Sequence, residues 1–175
     1  YQSLLEAAAA SPSLSLRNAG YLAIDSLRIE AGRLAWGHEL TPEDSPLEAG
    51  VGFAVKLGKP GGFIGEEALA VQKAQGLKQR CCLFETEADA SGPYIWGGEP
   101  ILMNGSYSGQ NVTSGARVPS RDSSGTPCRT LAMGYAVSTE SATPVSKSWL
   151  AAQKFEIEVG NLIVPVTPRL LPIKF

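Results

Sequence analysis

Residues 99–116 read EPILMNGSYSGQNVTSGA, and the Asn104-Gly105 pair at their centre decides how the second half of the chain is built. Asn-Gly between two apolar or β-prone runs is a strong two-residue hairpin signal. Both central residues of a type I′ turn need positive φ, and these two residue types reach it at low cost. Gly160-Asn161 repeats the arrangement between FEIEV (155–159) and LIVPV (162–166). KQRCCLFET (78–86) and RTLAMGYAV (129–137) add further short β-like runs. A series of short strands with hairpin turns and no intervening helix predicts a small antiparallel barrel or sandwich over residues 77–175.

Before residue 77 the texture is different. YQSLLEAAAA (1–10) has helical apolar spacing and stops at Ser11-Pro12, since the residue before proline is pushed out of the helical region. AGYLAIDSLRIEAG (19–32) fits a helix running into a strand, and periodicity leaves the two open. VGFAVKL (51–57) alternates and predicts a half-buried strand, followed by a turn at GKPGG (58–62). IGEEALAVQKAQG (64–76) predicts a helix, with Glu66 and Glu67 in its first turn complementing the helix dipole and Gly76 as its stop. The chain therefore reads as α+β, with a helix-containing piece over 1–76 and an all-β module over 77–175. It opens on Tyr1, inside a helical pattern, and is expected to be a piece of a longer polypeptide.

Composition narrows the function. The 175 residues are 43% hydrophobic and 18% charged, with a formal net charge of -2. The densest basic cluster, Lys73 to Arg80, is too sparse to hold a polyanion, so no nucleic-acid partner is expected. No apolar run approaches membrane-spanning length. The three cysteines, Cys81, Cys82 and Cys128, have neither metal-site spacing nor a paired framework. They read as small apolar fillers in a reducing compartment, with Cys81 and Cys82 on opposite faces of one strand. Asn104-Gly-Ser and Asn111-Val-Thr fit the glycosylation pattern without other signs of secretion.

The most irregular stretch is residues 26–50, SLRIEAGRLAWGHELTPEDSPLEAG. His38 is the only histidine, so a Ser-His-Asp triad would have to use it; no G-x-S-x-G elbow accompanies it, and a local hydrogen-bonding role is the simpler reading. Glu39, Glu43, Asp44 and Glu48 suggest an acid-base pair or a cation site, but Thr41-Pro42-Glu43-Asp44 is also an ordinary turn or helix start. GKPGG lacks the order of a phosphate loop. Trp36, Tyr21 and Phe53 could line a pocket for a flat aromatic ligand, although packing is the commoner use of such side chains. Pairing of Arg28 or Arg33 with Glu30, Glu39 or Glu48 is expected within the stretch.

Taken in order, AGYLAIDSLRIEAGRLAWGHELTPEDSPLEAGVGFAVKL, then FIGEEAL, then GGEPILMNGSYSGQNVTSGA resemble the glycine-cleavage T-protein family of aminomethyltransferases. They look most like the branch fused to flavin-dependent dimethylglycine and sarcosine dehydrogenases. The markers are Trp36-Gly37, the T-P-E-D-x-P-L-E-A-G run from Thr41 to Gly50, and a V-T-S-G turn expected within Gln110 to Gly115. The resemblance implies the last part of a folate-binding domain followed by the family's barrel. It implies tetrahydrofolate as acceptor of a one-carbon unit from a small amine, and FAD on a separate domain of the parent protein. The family's catalytic aspartate would lie upstream, so the isolated chain is expected to be inactive and to depend on upstream domains of its parent. The home implied is the bacterial cytoplasm or the mitochondrial matrix.

Carried over by position, the resemblance implies Arg33, Trp36, Arg28 and Arg169 as folate-binding residues. Arg28 matches a motif arginine expected to be structural, tying Glu30 or the TPED loop, while Ile24 replaces the arginine that meets the folate tail in stand-alone members. Arg33 is then the expected replacement for that charge. The alternative is a non-catalytic binding or regulatory module on the same scaffold. The K-G-C-Y-x-G-Q-E run of iron–sulfur assembly relatives does not occur.

Overall fold

A computed structural model describes residues 1–86, 92–119, 128–139 and 143–172. Helix α1 spans Gln2–Ala9, α2 Tyr21–Glu30 and α3 Glu66–Gln75. Strands β1 (Gln79–Thr86), β2 (Pro100–Met103), β3 (Ser106–Pro119), β4 (Cys128–Val137), β5 (Phe155–Val159) and β6 (Leu162–Leu170) follow, with a short helix α4 (Lys147–Ala151) between β4 and β5. The strands form a closed antiparallel barrel in the order β1-β4-β3-β2-β5-β6, with β6 returning to pair with β1. The fold is α+β and its β part is a barrel rather than a sandwich. None of the helices among the described residues is long and apolar enough to cross a membrane.

Both hairpins form where the turn chemistry places them. Met103 pairs with Ser106 across Asn104 (φ 54°) and Gly105 (φ 79°), and Val159 pairs with Leu162 across Gly160 (φ 61°) and Asn161. Helix α3 ends at Gly76, whose φ of 82° lets the chain leave the helix without a Cβ penalty.

Two apolar clusters share the barrel wall. Cys82, Phe84, Ile101, Ala132, Phe155 and Ile157 are among those that pack the interior. Cys81, Leu83, Leu131, Met133 and Tyr135 belong to the second, outer cluster, which Ile29 and Leu34 cover. Adjacent residues in different clusters are what strand alternation requires, and the two buried cysteines do lie on opposite faces. Burial pushes the Cys82 thiol up to about 12, with Arg80 pulling the other way, and burial raises Cys81 as well.

Several expectations are corrected. VGFAVKL is not a strand: Gly52–Ala54 is a short 3₁₀ turn in an irregular path. A closed barrel has no free edge to accept another strand, so alternation alone finds no partner there. AGYLAIDSLRIEAG is helical through Glu30, and no strand leads from Ser26 into the loop; the only pairing there is an isolated bridge between Trp36 and Leu40. Helix α4 interrupts the all-β module, started by Ser146, whose side chain accepts from the Trp149 amide. Gln110 to Gly115 is no turn but part of β3.

Candidate functional site

The site is built on a β-bulge. The β3–β4 register shifts between Val112 and Ser114, leaving Thr113 as the extra residue. Strict alternation would put Val112, Ser114, Ala116 and Val118 on one face. The bulge reverses the phase: Val112 stays in the interior cluster, while Ala116 and Val118 join the outer one. Thr113 and Ser114 thereby present neighbouring hydroxyls to the outside, where α2 packs on the barrel. Gly115 follows because a Cβ there would collide with the Ile95 carbonyl oxygen.

Glu39 meets those hydroxyls. Its side chain has no exposed surface, and its carboxylate receives four donors. Oε2 accepts from Arg28 Nη1 and from the Ala35 amide, both at 2.8 Å. Oε1 accepts from the Ser114 hydroxyl and from Thr113 Oγ1 at 3.1 Å. The Thr113 proton also has the Met133 carbonyl at 3.1 Å as an alternative acceptor. Arg28 completes the hub: Nε donates to Asp25 Oδ1 at 2.7 Å and Nη2 to Ser114 Oγ at 2.8 Å. Burying an ion pair costs desolvation of both charges, which is offset only when their remaining donors and acceptors are also satisfied. Here they are, by one helix, one loop and one strand.

The same loop is fixed to the barrel at further points. Tyr135 donates its hydroxyl to the Glu39 carbonyl at 3.0 Å, and burial raises its pKa well above the ordinary phenol value. Thr41 donates amide and hydroxyl to Asp44 Oδ2 at 2.7 and 2.8 Å, so the TPED run is the turn it resembles. Ser45 and Glu48 cap each other reciprocally, at 3.1 and 3.2 Å. The Cys81 amide donates to the Glu48 carbonyl at 2.8 Å. At Gly50 (φ 79°) a Cβ would come within 2.7 Å of the Leu171 carbonyl, so only glycine fits.

A second set of charges runs across the outside of the barrel. Arg129 of β4 reaches Glu30 of α2 at 3.6 Å and Glu85 of β1 at 2.5 Å, and Glu85 in turn holds Arg169 of β6 at 2.7 Å.

The residues expected to bind a ligand are thus placed differently from one another. Arg28 is largely buried and committed to Asp25, Glu39 and Ser114 rather than to Glu30 or the TPED loop. Arg33 is exposed and makes no ion pair among the described residues. Trp36 is 71% exposed and Tyr21 86%, unusual for side chains of this size. Arg169 is half-exposed and paired with Glu85. His38 is exposed on the same loop as Arg33 and Trp36. Of the expected pairings, Arg28–Glu39 forms, whereas Glu48 serves as a cap and Glu30 faces Arg129. Sequence reasoning missed Thr113 and Ser114 as partners of Glu39; two adjacent hydroxyl residues just ahead of a glycine were the available sign of a bulge. Among the described residues no group of His, Cys, Asp and Glu side chains could hold a metal ion.

The sequence is similar to those of known proteins along its whole length. Residues 1–59 match the family model described as the GCVT N-terminal domain. Human mitochondrial sarcosine dehydrogenase is 39% identical over 150 residues, which are 86% of this chain and 15% of that protein. The aminomethyltransferase of Rubrobacter xylanophilus is 32% identical over 175 residues, 100% of this chain and 39% of that protein. The mitochondrial pyruvate dehydrogenase phosphatase regulatory subunit of mouse is 42% identical over 104 residues, 57% of this chain and 12% of that protein. The chain thus spans well under half the length of each of these relatives. With a GCVT match over residues 1–59 and similarity to an aminomethyltransferase along its whole length, the chain is similar to the aminomethyltransferase, or glycine-cleavage T-protein, family.

Proposed function

We propose that this chain is part of a tetrahydrofolate-dependent aminomethyltransferase-like protein, which moves a one-carbon unit from a glycine-derived aminomethyl group, dimethylglycine or sarcosine to the folate. Residues 1–76 would be the last part of its folate-binding domain and 77–175 its barrel. The observation that carries the reading is the exposed pair Arg33 and Trp36, held on a loop whose base is locked by the buried Arg28–Glu39 hub. An exposed aromatic surface and a guanidinium without an ion pair among the described residues, three positions apart on one loop, suit a flat heteroaromatic ring bearing a carboxylate tail. Arg28 contributes by holding the loop through Glu39, and Arg169, braced by Glu85, offers a further cation at the barrel wall.

Tetrahydrofolate, when bound, supplies the nitrogen that accepts the one-carbon unit. The residues of this chain bind and orient; none is assigned a proton transfer, and the catalytic groups come from upstream in the parent. The exposed apolar side chains of α2, Tyr21, Leu22, Ile24 and Leu27, fit a face that packs against those upstream domains. FAD belongs to a separate domain in a dehydrogenase-type parent, and the home is the mitochondrial matrix or the bacterial cytoplasm.

Calorimetric titration of the chain with 5-formyltetrahydrofolate tests the reading. Micromolar binding is expected, weakened about 10-fold or more by Arg33→Ala, the worth of one charged hydrogen bond. Unchanged affinity in both Arg33→Ala and Trp36→Ala would remove these residues from the site. A second reading, a non-catalytic regulatory module, is favoured by the likeness to a phosphatase regulatory subunit. Folate binding by the full-length parent without one-carbon transfer would select it.

A further inference from the structure

A groove of about 1020 Å³ lies between α4 and β6, with the buried side chains of Leu150, Phe155 and Val166 among its lining. Four cationic residues, Arg80, Lys147, Lys154 and Arg169, also line it, and among the described residues no carboxylate does. Two of the four are balanced from outside the groove: Lys154 by Glu156 at 2.7 Å and Arg169 by Glu85 at 2.7 Å. The other two are not. Lys147 is exposed and makes no ion pair among the described residues. Arg80 donates from Nη2 to the Leu171 carbonyl at 3.3 Å, but its Nε is buried with no acceptor among the described residues. A buried donor on a charged group is costly to leave unpaired, on the order of 1–3 kcal/mol or more. The groove therefore combines an apolar floor with a cationic rim on which Arg80 and Lys147 have no carboxylate partner among the described residues.

We propose that this groove binds a small organic anion, with its carboxylate or phosphate on Arg80 and Lys147 and its apolar body on the floor of Leu150, Phe155 and Val166. The site is distinct from the folate reading, because neither Arg33 nor Trp36 lines it, and of the residues assigned to folate only Arg169 stands on its rim. The charge balance of the lining selects against cations, and the apolar floor selects against a bare inorganic ion.

The test is a ¹H–¹⁵N NMR titration of the chain with octanoate, 1-octanol and inorganic phosphate in parallel. Octanoate is expected to give saturable shifts at the amides of α4, Phe155, Val166, Thr167, Arg169 and Leu170, and to bind about 10-fold tighter than either the alcohol or phosphate. Lys147→Gln and Arg80→Gln should each weaken octanoate by roughly 5-fold or more, while Arg33→Ala leaves it unchanged. Phosphate binding as tight as octanoate would make the floor irrelevant and overturn the assignment of an apolar body. Octanoate shifts that do not saturate, that fall outside the groove, or that persist at full affinity in Lys147→Gln would overturn the site. Lys147 is exposed, so its variant keeps the fold and decides the question even if Arg80→Gln fails to fold. Failure of folate titration leaves the octanoate result standing, and the reverse also holds.

Discussion

The barrel and the helical region before it bury their side chains in different ways. In the barrel every strand is paired on both sides and the interior is filled by side chains such as Phe84, Ile101 and Ile157, with no exposed surface on any of the three. In the first 76 residues, α1 and α3 bury no residue, and α2 buries only Ile29. Tyr21, Leu27, Phe53 and Ile64 remain more than half exposed. The barrel is held by hydrophobic area inside a closed surface, whereas the residues around Arg28 to Gly50 are held to its wall by a handful of directed bonds and the apolar contacts of Ile29 and Leu34. A loss from the closed core is felt by the whole barrel; a loss from a hub of directed bonds is felt locally.

That contrast can be broken from either side. The largest effect is expected for Phe84→Ala, which removes an interior ring packed 5.6 Å from Phe155. A loss of about 3–5 kcal/mol is expected, read as a fall in the denaturant midpoint of the whole barrel. Next comes Glu39→Ala, which strips Arg28, Ala35 and Ser114 of their shared acceptor. Leaving a buried cation without its partner costs roughly 3 kcal/mol. Its signature is local: hydrogen exchange in α2 and residues 33–50 should accelerate while β1 and β4 amides stay protected. Equal acceleration in the barrel would show that the two regions unfold as one unit.

Raising the pH sharpens the comparison further. The Cys82 thiol, ordinarily near 9, is pushed up to about 12 by burial, and Cys81 and Tyr135 move in the same direction. The unfolded chain therefore releases these protons before the folded one. Their contribution to stability is complete below pH 9 and is lost as pH rises toward the folded values. At pH 10 Cys82 alone accounts for roughly 1 kcal/mol of lost stability, and Cys82→Ala should flatten that part of the stability–pH curve. The smallest effect is expected for Lys154→Gln. Its partner Glu156 is near, but the lysine side chain is 68% exposed, and stability should change by under about 0.5 kcal/mol.

The sequence was most legible where one residue type has one physical use. Asn104-Gly105 and Gly160-Asn161 marked the hairpins because few residues reach positive φ cheaply, and Gly76 marked the end of α3 for the same reason. It was least legible where the decision rests on a distant partner. VGFAVKL alternates like a strand, but strands need a neighbour, and ring closure elsewhere in the chain removed the available edge. Arg28 with Glu39 was one of several pairings the stretch allowed, and the local sequence does not choose among them. The Thr113 bulge that brings hydroxyls to them is an outcome of register between β3 and β4, which local pattern does not encode. Helix α4 was lost for want of length, since five residues show no helical period.

Ring closure also bears on how this unit can be reused. An open sheet recruits neighbours by extending itself, so its surroundings must supply a matching strand. A barrel that has already paired its first and last strands asks nothing of that kind from the polypeptide around it. It can be spliced behind unrelated modules without re-registering a sheet. That freedom suits a segment that aligns with 15% of one relative and 39% of another.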